Sequence, residues 1–297
     1  MFMQTLFDKY EKRLDITSID SNIDRIQGLI KQKLNTNYLK QIFSYIDFTS
    51  LNTADNENDI LRMVQKLNRF SKNFPGIHHV AAICVWPSLV YVPKRYLDVP
   101  GIKIASVAGG FPSSQTFLEV KCTEAESAVE AGADEVDIVM NVGKFLSGDY
   151  ISVAGEINAI KRSIGNTHLK VILETGLLEN ADQIRKASLL AMQSGADFIK
   201  TSTGKISPAA TYRAVYVMAD AIGDFYRKTG KKTGIKPAGG IIAPEDAAMY
   251  SAITEEILGE GWMTPEFFRI GASRLGNNLL AAITKPDSEM DEGFTYF

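Results

Sequence analysis

The stretches AGADEVDIVMN (131–141) and SGADFIKTST (194–203) are near copies of one joint. In each, a helix ends on a glycine, a two-residue loop follows, and a short apolar run begins. The runs are continuous rather than alternating in polarity, as parallel strands covered on both faces require. The same unit recurs along the chain from residue 45 onward. Strands are expected at Tyr45–Thr49, His79–Trp86, Ile102–Ala108, Glu135–Asn141, Lys170–Thr175, Phe198–Thr203, Gly234–Ala238 and Phe268–Ala272. Between them, Gln115–Glu130, Asn180–Gln193 and Pro208–Lys228 carry apolar residues at helical spacing. Eight βα units over roughly 250 residues point to an α/β fold, a (β/α)8 TIM barrel, with a doubly wound open sheet as the competitor. The expected organisation is a helical extension over residues 1–44 that covers the bottom of the barrel, the barrel at 45–285, and a tail at 286–297.

Composition narrows the function classes. The 297 residues include 32 basic and 35 acidic side chains, a net charge of −3, with 45% hydrophobic and 23% charged residues. Such a chain has no field to attract nucleic acid or an anionic membrane. Two distant cysteines, Cys84 and Cys122, make neither a disulfide framework nor a zinc cluster. Charges from Asp8 onward leave no secretory h-region, and prolines, histidines and a glycine interrupt the uncharged stretch Asn73–Pro93. A cytoplasmic location is expected, with no membrane and no nucleic-acid partner.

In a barrel the active site lies at the C-terminal ends of the strands. Three polar residues there stand out: Asp137, Lys200 and Lys236. Strand alternation turns Ile199 and Ile235 outward and both lysines inward. Two ammonium groups assumed about 4 Å apart repel by about 4 kcal/mol at an effective dielectric near 20, or roughly three pKa units. One lysine then becomes a free amine near neutral pH, the requirement for Schiff-base chemistry on a carbonyl. Proton transfer next to that carbonyl needs an acid/base. Asp137 is the candidate, and Glu174 in ILETG the second. Gly204-Lys205, Gly239-Gly240 and Gly271-Ala272-Ser273 follow strands six, seven and eight, where barrels commonly cradle a phosphate on backbone amides. His78, His79 and His168 have no metal-ligand spacing. No metal is expected.

These blocks together resemble deoxyribose-phosphate aldolase, a class I aldolase family on a β/α barrel. The resemblance spans about Tyr45 to Leu280 through DFTSLN (47–52), AAICVWP (81–87), AGADEVDIVMN (131–141), LKVILETG (169–176), GADFIKTSTGK (195–205), GIKPAGGI (234–241) and FRIGAS (268–273). It implies Lys200 as the Schiff-base lysine, Lys236 as the neighbour lowering its pKa, and Asp137 as the acid/base working with an ordered water. Gly204, Lys205, Gly239, Gly240 and Ser273 match phosphate-binding positions, and Asp47, Thr49, Cys84 and Thr203 match residues lining the substrate pocket. The implied reaction is reversible cleavage of 2-deoxy-D-ribose 5-phosphate to acetaldehyde and D-glyceraldehyde 3-phosphate, with no cofactor, in a homodimer. The chain departs from the pattern at Arg274, where many members have a second serine, in the segment 141–150, and at its end, where Tyr296 is penultimate. Two alternatives stand: another Schiff-base lyase or transaldolase with a different carbonyl donor, and a phosphosugar-binding barrel without turnover.

Overall fold

The computed structural model describes residues 2–284 and 295–297. Eight short parallel strands run in chain order: β1 (Ile46–Thr49), β2 (Ala82–Val85), β3 (Lys103–Ala108), β4 (Glu135–Val139), β5 (His168–Ile172), β6 (Phe198–Lys200), β7 (Gly234–Lys236) and β8 (Ile270–Ala272). Each pairs with its sequence neighbour, and β1 also pairs with β8. The ring closes between β7 and β8 through parallel bridges at Ile235–Phe268 and Ala238–Gly271. The sheet is a (β/α)8 barrel, and the open-sheet alternative is excluded.

The strands are shorter than the apolar runs suggest because the chain leaves the ladder at their ends. After β6, Thr201 holds the chain to the next strand through its hydroxyl, which donates to the Ala238 carbonyl at 3.0 Å and accepts from its amide at 2.9 Å. After β4, Asn141 turns from strand to cap. Its side chain accepts from the Lys144 amide at 3.1 Å and starts a short helix, Val142–Leu146, in a segment where the sequence shows no clear period.

Twelve α-helices are seen among the described residues: α1 (Phe2–Lys9), α2 (Ile16–Lys33), α3 (Thr36–Phe43), α4 (Glu57–Asn73), α5 (Tyr91–Tyr96), α6 (Leu118–Glu130), α7 (Val142–Leu146), α8 (Tyr150–Ser163), α9 (Ala181–Gln193), α10 (Tyr212–Thr229), α11 (Pro244–Leu258) and α12 (Leu275–Thr284). The outward strand residues Ile199, Ile235, Val136 and Ile138 are buried under this shell. Helix α10 begins later than the apolar spacing implies, because Thr211 caps it by accepting from the Ala214 amide. No described helix is long and apolar enough to cross a membrane.

Helix α3 lies beside the N-terminal ends of β1, β2 and β8, with Asn37, Lys40 and Gln41 near Gly76, His78 and Met263, whereas α2 packs on the outer shell. Helix α2 buries one stripe, Ile19, Ile23, Ile26 and Ile30, and lies along α10 and α11. Arg213 grips Asp20, Arg25 pairs with Glu256, and Lys33 reaches Glu255. A stripe one helix wide finds better cover in the groove between two outer helices than beneath eight strand ends.

Side chains, not a channel, fill the barrel interior. Phe198 lies across it, and a Cβ on Gly234 of the next strand would stand 2.2 Å from the Phe198 ring. Only glycine leaves room for that ring. The expected tail at 286–297 falls largely outside the described residues. Tyr296 and Phe297 pack by α4, with the Tyr296 hydroxyl donating to the Lys66 carbonyl at 2.7 Å and Phe297 stacked on Phe70 and tilted against Phe48. They lie away from the lysine pair.

Candidate active site

Seven charged side chains meet inside the barrel, all buried: Asp47 on β1, Glu135 and Asp137 on β4, Lys170 on β5, Lys200 on β6, Lys236 on β7, and Arg269 just before β8. Register brings them together. Lys170 is the β-partner of Asp137, and Lys200 that of Lys236, so neighbouring strands deliver opposite and like charges at matched heights.

Asp137 is the hub. Its Oδ2 accepts from Lys200 Nζ and from Lys236 Nζ, each at 2.8 Å, while Oδ1 accepts from Lys170 Nζ at 3.1 Å. Lys236 also lies 2.5 Å from Asp47 Oδ2. Lys170 touches three carboxylates, with Glu135 at 2.5 Å and Asp47 at 3.4 Å in addition to Asp137. Arg269 joins Asp47 at 2.6 Å to Glu135 at 2.8 Å. Among the described residues Lys200 has a single carboxylate contact, Asp137.

Protonation follows from these contacts. Burial alone would raise the Asp137 carboxyl, but Lys170, Lys200 and Lys236 outweigh it and hold the group well below the ordinary range. Asp47 and Glu135 are lowered in the same way against their own burial. Burial would lower Lys236, yet Asp137 and Asp47 raise it above an ordinary lysine. Lys170 is likewise raised. Lys200 alone of the three is lowered: burial is the main cause, Asp137 opposes it, and the Lys236 charge adds to it. Charge repulsion, the cause expected from the sequence, is only part of this shift. Desolvation ranks ahead of it in all three lysines, and Lys200 alone ends lowered because it has one carboxylate partner where the other two have several.

Above this network a cavity of about 360 Å³ opens at the C-terminal end of the strands. Lys200 lies at its lining, together with Thr49, Thr203, Gly204, Lys205, Gly239, Gly240, Ser273 and Arg274. Asp47 and Cys84 are not in that lining. Asp47 is locked in the ion network, and Cys84 is buried beside Ala82, Ala105 and Val107. Burial raises the Cys84 thiol, so it stays protonated. Gly204, Gly239 and Gly240 have φ of +76°, +93° and +74°, a region that side chains rarely adopt. A Cβ on Gly239 would stand 2.7 Å from Ala209 Cβ and 3.1 Å from Gly204 Cα. Ser273 and Arg274 precede the first turn of α12. Lys205 Nζ donates to the Leu51 carbonyl at 2.5 Å.

Glu174, the second acid/base candidate, bonds the loop after β6. Its carboxylate accepts from the Thr203 amide at 3.0 Å and the Thr203 hydroxyl at 2.6 Å. His79 bonds Ser71, and no group of three or more His, Cys, Asp or Glu among the described residues is placed to hold a metal. Sequence reading missed Glu135, Lys170 and Arg269. The signal for the first two was present, since Glu135 shares the inward parity of Asp137 in EVDIV, and Lys170 interrupts an apolar run at the equivalent position.

The sequence profile of the family described as DeoC/LacD family aldolase matches residues 42–273. The chain belongs to this family. A deoxyribose-phosphate aldolase of Bos taurus is 41% identical over 257 residues, covering 83% of this chain and 80% of that one. The Homo sapiens deoxyribose-phosphate aldolase is 40% identical over the same shares. Among solved structures, a deoxyribose phosphate aldolase of Aeropyrum pernix, described as a tetramer, superposes with a TM-score of 0.67 at 24% identity, covering 88% of this chain and 97% of that one. The fold of this DeoC/LacD aldolase is thus that of an aldolase barrel. Its matched region takes in β1 to β8 and every charged residue of the interior network.

Proposed function

We propose that this chain is a class I deoxyribose-phosphate aldolase, with Lys200 as the Schiff-base lysine. One observation carries the assignment: of three lysines buried in the barrel, the single one with a depressed pKa is also the one opening on the cavity. The aldolases of cattle and man at about 40% identity support the same substrate.

The neutral amine of Lys200 adds to the C1 aldehyde of the open-chain sugar phosphate, and its proton passes to the new oxygen. A second proton, relayed through water by the acid/base, lets that oxygen leave as water and gives an iminium. Loss of the C3 hydroxyl proton then lets the C2–C3 bonding pair form a C1–C2 double bond while the iminium π pair withdraws to nitrogen. C3 departs as the aldehyde carbon of D-glyceraldehyde 3-phosphate, leaving an enamine. Protonation at C2 and hydrolysis return acetaldehyde and the free amine.

Asp137, 2.8 Å from Lys200 Nζ, is the acid/base for these transfers, working through a bound water. Paired with cations it is a weak base. As the iminium takes up the bonding pair its charge vanishes, Asp137 loses a cationic neighbour, and its basicity rises at the step where a proton must be held. Lys236 stays charged and favours the free amine of Lys200. Residues 45–285 are the catalytic unit in this reading, and a homodimer rests on the family resemblance.

The test is to incubate the protein with acetaldehyde, reduce with borohydride and map the adduct by mass spectrometry. An ethyl group on Lys200 is expected. Absence of an adduct, or adducts scattered over surface lysines, would favour a phosphosugar-binding barrel without turnover.

The glycine loops and Ser273 are assigned to the phosphate. Replacing Gly239 by Ala forces a Cβ into the approach to Gly204. We expect KM for the sugar phosphate to rise about tenfold or more, the scale of a lost charge-assisted contact. Cleavage of unphosphorylated 2-deoxyribose should be unchanged, and an equal loss on both substrates would remove these loops from phosphate recognition.

A further inference from the structure

The interior network holds three carboxylates, Asp47, Glu135 and Asp137, and four cations, Lys170, Lys200, Lys236 and Arg269. Fully ionised, it carries one positive charge too many for a water-excluded interior, where an uncompensated charge is strongly disfavoured. One cation must give up its proton. Arg269 does not, since a guanidinium stays charged in proteins. Lys170 contacts three carboxylates and Lys236 two, whereas Lys200 contacts one. The surplus therefore falls on Lys200. Arg269 itself bonds Asp47, Glu135 and the Pro265 carbonyl, and neither Asp137 nor Lys200.

We propose that Arg269 is a positioning residue: its permanent charge, clamped between Asp47 and Glu135 beneath the site, creates the surplus that leaves Lys200 as a free amine.

The proposal rests on the reading of Lys200 as the reacting lysine, and extends control of it to a residue that faces away from the cavity. The surroundings of Lys200 are built from every strand of the barrel. Besides the seven, β2 contributes the protonated Cys84 thiol, and β3 turns Ala105 and Val107 into the interior, neither of which titrates. At the rim stand Lys205 and Arg274, with Glu174 bonded to Thr203.

Charge-changing substitutions at the two ends of the clamp have opposite expected signs. Arg269→Met leaves three carboxylates facing three ammoniums, a balanced set with Lys200 protonated, so the Lys200 pKa rises. Glu135→Gln enlarges the surplus, so it falls. The readout is competitive labelling of amines with acetic anhydride across pH, with Lys200 followed by peptide mass spectrometry. The midpoint should move up by about one pH unit or more in Arg269→Met and down by a similar amount in Glu135→Gln, the scale of a nearby buried charge. Arg269→Lys, which restores the charge, should return it to the wild-type value. The acidic limb of kcat/KM against pH should move with the labelling midpoint.

A folded Arg269→Met whose midpoint stays in place, or two variants that shift in the same direction, would overturn the proposal. If one variant does not fold, the sign of the other decides. Labelling reports the amine itself, independent of turnover. A wild-type Lys200 that labels like a surface lysine overturns this inference, whereas a low midpoint without an acetaldehyde adduct overturns only the aldolase reading.

Discussion

Lys200→Leu is expected to abolish cleavage of 2-deoxyribose 5-phosphate, with kcat falling by about 10⁴-fold or more, the scale seen when a covalent nucleophile is removed. The borohydride-trapped ethyl adduct should disappear with it. The fold should survive, for a specific reason. Leucine keeps most of the aliphatic stem, and removing one cation leaves three carboxylates facing Lys170, Lys236 and Arg269, a balanced buried set. Circular dichroism and a thermal melt close to wild type would therefore accompany the loss of activity. Turnover surviving within tenfold of wild type, or an adduct migrating to another lysine with activity retained, would show that Lys200 is not the nucleophile.

Lys236→Leu produces a different signature. Lys236 lies 2.8 Å from the same Asp137 oxygen that Lys200 uses, so its loss frees Asp137 to hold the Lys200 proton more tightly. The amine attacks only when unprotonated. A raised Lys200 pKa therefore moves the acidic limb of kcat/KM to higher pH, and activity lost at neutral pH should return as the solution is made alkaline. Two charges about 4 Å apart at an effective dielectric near 20 set an upper scale of about 4 kcal/mol. An observed displacement of about one to three pH units is the expectation. At pH 7 this is a loss of roughly ten- to a thousandfold. A variant whose activity falls by the same factor at every pH would assign Lys236 to substrate contact or to structure, not to tuning.

These two substitutions separate what is local from what is not. Lys200 and Lys236 were legible in the sequence because a lysine within a run such as FIK or GIK has its direction set by alternation: Ile199 and Ile235 face the helices, so the lysines face in. The glycines after strands six and seven were legible for a related reason, since a loop needing positive φ selects glycine. The order of causes behind the depressed lysine was not. Repulsion between two ammoniums follows from their spacing, but the larger effect is burial, and whether it is outweighed depends on how many carboxylates each lysine reaches.

The extension at residues 16–33 shows the same limit on the side of the fold. Its isoleucine stripe announces a helix with one buried face and leaves its neighbour open. The partner was settled by the groove between α10 and α11 and by three ion pairs across it.

The sequence by itself determined the number of strands, the direction in which each strand points its side chains, and the glycine-bearing loops above them. Periodicity and backbone preference are properties of a few consecutive residues. Only the tertiary structure decided that Arg269, next to the last strand, would bridge Asp47 on the first and Glu135 on the fourth. It likewise decided which of three buried lysines would be short of carboxylates. Charge compensation in a closed barrel is settled between residues as far as 222 positions apart, and no local pattern carries that count.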